Sequence, residues 1–167
     1  MLSILITAII TFFVCGFFGY VVHRSLHQPW AGQLNKLHMT HHLKLYPPTD
    51  YLSDVYRNAG KDNTTRVFAL AATPLIVLPI ILGMYDVISV ASTATAFVVM
   101  CIMGLLHDYL HDSFHIRGHF LNRVPIFKNL FIRWNNLHYQ HHVNMQCNLG
   151  IFNFLFDRLF GTFSKAK

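Results

Sequence analysis

The sequence predicts an all-α integral membrane protein: three transmembrane helices plus a cytoplasmic helical domain that carries histidine boxes, held against the bilayer by interfacial helices. Two observations make that prediction. The 167 residues are 53% hydrophobic and only 12% charged, whereas about a quarter of the residues in an ordinary soluble domain are charged. Twelve histidines also cluster at helical spacings, all of them outside the most apolar stretches. By length the chain is one domain, residues 1–167.

Three segments can cross a hydrocarbon core of ~30 Å as helices, which takes about 20 apolar residues. They run over residues 2–22, 67–85 and 87–106, and none contains Lys, Arg or His. The first lacks the basic n-region and small-residue cleavage site of a signal peptide and is too long for an h-region, so it reads as a retained anchor. The second carries Pro74 and Pro79, which a membrane helix tolerates where neighbouring groups satisfy the freed carbonyls. Only Asp86 separates the second segment from the third.

Charge placement gives the topology. All 13 Lys and Arg lie in residues 24–66 and 117–167, and the positive-inside rule puts both stretches on the cytoplasmic side of three spans with an external N-terminus. The net charge of +6 is spread in ones and twos, with no basic run or nucleic-acid module, so lipid headgroups are the expected partner and nucleic acid is not. Cys15, Cys101 and Cys147 form no CxxC pair and no even set, and they read as inert thiols.

Between the spans, residues 28–66 combine a helical piece over 34–45, a break at Pro47-Pro48, and a turn-prone segment through Asn58, Gly60 and Asn63. After the third span the helical pattern continues through His111 until Gly118 and Pro125 interrupt it. Residues 126–143, and the Phe-rich tail 151–163, have the mixed apolar and basic character of helices lying in the interface.

The histidines read His23-xxx-His27, His38-xx-His41-His42, a run of His107, His111, His115 and His119 at intervals of four, and His138-xx-His141-His142. Residues three or four apart share a helix face, so each cluster can aim several imidazoles at one point. The proposed topology puts every histidine on one side of the membrane, as a shared site requires. His119 reads as a structural residue. The chain contains no glutamate, which excludes HExxH zinc hydrolases and ferritin-like carboxylate sites. About ten convergent histidines exceed the four ligands of a structural zinc. Two imidazole-bound metals fit better, with iron the ion for oxygen chemistry. Asp108, Asp112, Asn148 and Asp157 are the nearest candidates in sequence to hold ligand tautomers. A non-enzymatic membrane metal-binding protein is the rival from another class.

At these residues the sequence resembles the fatty acid hydroxylase and sterol desaturase superfamily, whose pattern is an HxxxH-type box, an HxxHH box, a further HxxxH-type box and a final HxxHH box. The resemblance runs from His23 to Thr162 and includes Asn148-Leu-Gly followed by Asp157-Arg-Leu-Phe-Gly-Thr162. It implies a non-haem di-iron centre on His23, His27, His38, His41, His42, His111, His115, His138, His141 and His142. The third box has two readings. His107 to His111 and His111 to His115 share the spacing, and His111-Asp112-Ser113 looks more like the box of sterol desaturases and carotenoid hydroxylases. His111 and His115 are therefore expected as ligands, with His107 a further candidate. The implied activity is O2-dependent hydroxylation or desaturation of a fatty acyl or sterol-like lipid, with a carotenoid hydroxylase as alternative. No dinucleotide motif or Cys set for an iron-sulfur cluster is present, so an external ferredoxin, cytochrome or reductase is expected to supply electrons.

Overall fold

Helix α1 runs over Leu2–Leu26, α2 over Gln33–Thr40, α3 over Thr64–Met84, α4 over Val90–Phe114, α5 over Pro125–Val143 and α6 over Leu155–Leu159. The computed structural model describes residues 1–57 and 64–165, the side chains of 64–71 excepted, so the turn-prone Asn58, Gly60 and Asn63 lie outside the described residues. Among the described residues there is no strand, only one isolated parallel bridge between Ser53 and Ile116. The all-α expectation holds.

Among the described residues two helices, α1 and α4, are long and apolar enough to cross a bilayer. Each has 25 residues, about 37 Å at 1.5 Å per residue. Helix α3 passes through Pro74 and Pro79 without ending, but its described apolar part, Ala72–Met84, is shorter than the span expected over 67–85. Both long helices overrun their expected ends at residues 22 and 106, because nothing from His23 to Leu26, or from His107 to Phe114, is Gly or Pro. The membrane helices thus carry the first and third histidine boxes on their own last turns. Leu5, Ile9, Ile10, Phe13 and Phe17 of α1 are exposed, an apolar surface that suits lipid rather than water.

The other boxes sit on α2 and α5. Helix α2 continues into one wide π turn over His41–Leu45, a distortion common at functional sites, and ends before Pro47-Pro48. Asn35 Nδ2 donates to the Leu26 carbonyl at 2.8 Å, tying α2 to the end of α1. Helix α5 starts at Pro125, where a missing N–H costs nothing. Leu110, Phe114, Phe131 and Ile151 form a buried cluster that fixes α5 against the end of α4.

The tail departs from expectation. Instead of an interfacial helix over 151–163, only α6 is helical, because Asn148 (φ 52°) and Gly161 (φ 72°) turn the chain to either side of it. The Phe156 ring packs on Phe17 and the Phe160 ring on Tyr20, each at 5.3 Å between centroids. The tail is thereby strapped to α1.

Candidate metal centre

Adjacent residues on a helix point about 100° apart while i, i+3 and i+4 share a face, so an HxxHH box can serve two points at once. Both boxes do. His38 and His42 join His23, His27 and His141 in one group, while His41 joins His115, His138 and His142 in a second. Within each group the ligand nitrogens lie within 4.8 Å of one another. His111 borders the second group, its ring 4.7 Å from His41 and 4.9 Å from His138. His107 lies farther out, its ring parallel to His111 at 6.4 Å. His119 stands apart, accepting from the Leu121 amide at 3.4 Å, a structural role.

Among the described residues, four histidines have their tautomer set by backbone carbonyls. The Nδ1 atoms of His23, His115, His141 and His142 donate to the carbonyls of Leu149 (2.7 Å), Tyr51 (3.1 Å), Cys147 (2.8 Å) and Tyr46 (2.8 Å). A carbonyl only accepts, so each Nδ1 carries the proton and each Nε2 keeps a bare lone pair. Those lone pairs face inward: His141 Nε2 is 3.1 Å from His27 Nε2, and His115 Nε2 is 3.3 Å from His138 Nε2. His38 Nε2 is in turn 3.1 Å from the Nε2 atoms of both His27 and His42. The buried Nε2 of His142 has no hydrogen-bond partner among the described residues.

This donor set fits metal ions. Ligands at right angles around an ion with ~2.1 Å bonds to imidazole stand about 3 Å apart. One proton shared among three ring nitrogens serves each pair badly, whereas one cation is a partner for every lone pair. The set is all imidazole, which suits iron, zinc, copper or nickel alike.

Burial, and then the charges the histidines would place on one another, hold His38, His42, His115, His138 and His142 well below the usual histidine range. His141 is lowered chiefly by burial and by His27, and burial takes His27 from 6.5 to about 4. Neutral imidazole is the form a metal needs. Since these values are depressed on folding, the unfolded chain binds more protons below pH 6.5. Stability is complete above that pH and falls as pH drops toward 4. A pH series of thermal melts of metal-free protein in detergent checks this, and a melting temperature flat across that window would contradict it.

The carbonyls that fix His23 and His141 belong to one turn, residues 147–150. Buried Asp157 holds it, accepting from the amides of Leu149 (2.7 Å) and Gly150 (2.8 Å) and from Thr162 Oγ1 (2.8 Å). Asn148 pins the turn from the other side, donating to the Leu137 carbonyl at 3.3 Å and accepting from the Ser164 amide at 2.9 Å. Asp157 and Asn148 thus act through the backbone, not on an imidazole. Asp112 Oδ1 lies 3.4 Å from His111 Nδ1. Asp108 faces a cavity of about 460 Å³ between α1, α3, α4 and the 149–153 turn, walled by Phe18, Leu75, Ile76, Met100, Met103 and Ile151, with His107, Asp108 and Asn153 as its polar lining.

A family model described as fatty acid hydroxylase matches residues 8–162. The chain belongs to the fatty acid hydroxylase family. No curated protein and no solved structure matches it. The family is one of lipid-acting oxidoreductases, and its membership agrees with the apolar helices and the histidine groups of a membrane protein with a metal cofactor. Sequence reasoning missed the four carbonyls and the turn that holds two of them. In this fatty acid hydroxylase family member Gly150 is part of that turn: an added Cβ would strike the Asn153 carbonyl oxygen and stand 3.0 Å from Asp157 Oδ2. Gly150→Ala is expected to cost about 1–3 kcal/mol, read as a lowered melting temperature in detergent.

Proposed function

We propose that the chain is a membrane-bound, non-haem di-iron oxidoreductase that uses O2 to hydroxylate or desaturate a lipid, a fatty acyl chain or a sterol-like molecule. The observation that carries this reading is the convergence of bare imidazole nitrogens into two buried groups. One ion is held by His23, His27, His38, His42 and His141, the other by His41, His115, His138 and His142 with His111 beside them. His107 belongs to the cavity wall. When bound, iron activates dioxygen so that an unactivated C–H bond can be oxidised.

The chain's own residues do the positioning. Carbonyl-fixed Nδ1 protons hold the imidazole rings in place. The apolar cavity borders the centre, because Leu149 lines it while its carbonyl holds His23, and it takes the lipid and keeps water out. Three spans, with α3 as the middle one, place the basic segments and the histidines on the cytoplasmic side. An external one-electron carrier, a ferredoxin, cytochrome or reductase, supplies electrons there.

The test is expression in a host whose lipids are then analysed by mass spectrometry. New hydroxyl groups or double bonds on acyl chains are expected. Oxygen on a polyene or sterol ring would reassign the substrate. Two tightly bound metals with no lipid change under any donor would favour a non-enzymatic metal-binding protein.

A further inference from the structure

Asp157 holds the turn whose carbonyls serve the first metal group. The carbonyls that serve the second, those of Tyr46 for His142 and Tyr51 for His115, lie in a segment with fewer means of holding itself. Pro47 and Pro48 have no N–H to donate, and the π turn over His41–Leu45 ends in carbonyls that the helix itself cannot satisfy. Tyr46 is the residue on which the second group bears. It is fully buried, its carbonyl accepts from His142 Nδ1 at 2.8 Å, and its ring stands 3.9 Å from that of His115 and 5.2 Å from that of His41, between centroids. A shift of Tyr46 therefore reaches three of the four ligands in that group.

Arg57 fixes Tyr46 from the outer side. Its Nη1 donates to the Leu45 carbonyl at 2.8 Å and to the Asp50 carbonyl at 3.2 Å, and its Nη2 donates to Asp50 Oδ1 at 3.0 Å. The guanidinium carbon lies 5.5 Å from the centre of the Tyr46 ring, and the Arg57 amide donates to the Tyr46 hydroxyl. One planar fork, with its donors in fixed directions, thus joins the residue before Tyr46 to the residue before Tyr51. The ion pair with Asp50 is partly exposed on both sides, and such pairs add little stability. What the fork supplies is the position of the backbone. We infer that Arg57 is a positioning residue for the second metal group, acting through Tyr46 on His41, His115 and His142, an inference that rests on reading the two groups as metal sites.

The experiment uses the full chain purified in detergent, with zinc as the probe, because zinc binds imidazole and takes no part in redox chemistry. His141→Ala leaves the second group whole, and His41→Ala leaves the first. Arg57→Gln is added to each, and zinc affinity is read by competition with a chromogenic chelator. Affinity is expected to fall about tenfold in the His141→Ala background and to stay unchanged in the His41→Ala background. Arg57→Lys, which keeps the charge and loses the fork, should weaken the second group alone by a smaller factor, and it decides the matter if the glutamine variant fails to fold. An unchanged second group, or equal weakening of both, would overturn the role of Arg57 and leave the metal centre standing. Single histidine variants that bind no zinc would show one joint site and sink this inference alone. If wild type binds no zinc, the metal reading itself fails, and the inference with it.

Discussion

His41→Ala and His141→Ala are each expected to remove one metal from every chain and to lower product formation by about 10³-fold or more, the several kcal/mol that a metal's charge contributes to a transition state. The two variants act on different halves. His141 belongs only to the group with His23, His27, His38 and His42, and His41 only to the group with His115, His138 and His142. The double variant should therefore hold no tightly bound metal. Elemental analysis of protein purified in detergent, paired with lipid analysis of the host, reads both effects. Metal content unchanged in either single variant would remove that histidine from the centre. A loss of both metals in one single variant would mean that the two groups fill together.

Asp157→Ala should be the most damaging substitution outside the imidazoles. The carboxylate is fully buried and accepts from two amides and a hydroxyl within 2.8 Å. Burial pushes its pKa above the ordinary carboxylate value, while hydrogen bonds from Gly150, Leu149 and Thr162 pull it back. Its removal leaves those donors unpaired in the interior, about 3–5 kcal/mol in all. The turn that fixes His23 and His141 then loosens, and metal affinity in their group should fall about 10–100-fold while the second group, held by Tyr46 and Tyr51, keeps its own. Thr162→Val, which removes one donor and leaves the carboxylate, should cost about 1 kcal/mol without the selective loss of metal. Equal weakening of both groups in Asp157→Ala would refute the route through the turn.

Much of this was legible before the structure. The long helices followed from the absence of charge over about 20 residues, and the histidine boxes from their spacing of three and four. How a box divides was not legible, since the side to which His41 or His42 turns depends on how α2 and α5 are set against α1 and α4. The carbonyls of Tyr46, Tyr51, Cys147 and Leu149 were invisible for a simpler reason: every residue has one, and only the fold selects which meets an imidazole. Choosing the nearest acidic or amide side chains put Asp157 and Asn148 in the right place, but for another task. The tail misled because its five phenylalanines have the composition of an interfacial helix, whereas the backbone turns at Asn148 and Gly161 override that pattern.

Each group draws on histidines from both halves of the chain, and this sets an order of events during synthesis. The ribosome delivers residues 23–42 long before 138–142. Helices α1 and α4 have both emerged, ready for insertion, while each group still lacks at least one member and the turn held by Asp157 has not been made. Neither group is complete until His138, His141 and His142 have been made, and a nascent chain interrupted before His138 presents its membrane helices with two unfinished sets of imidazoles, four in one and two in the other.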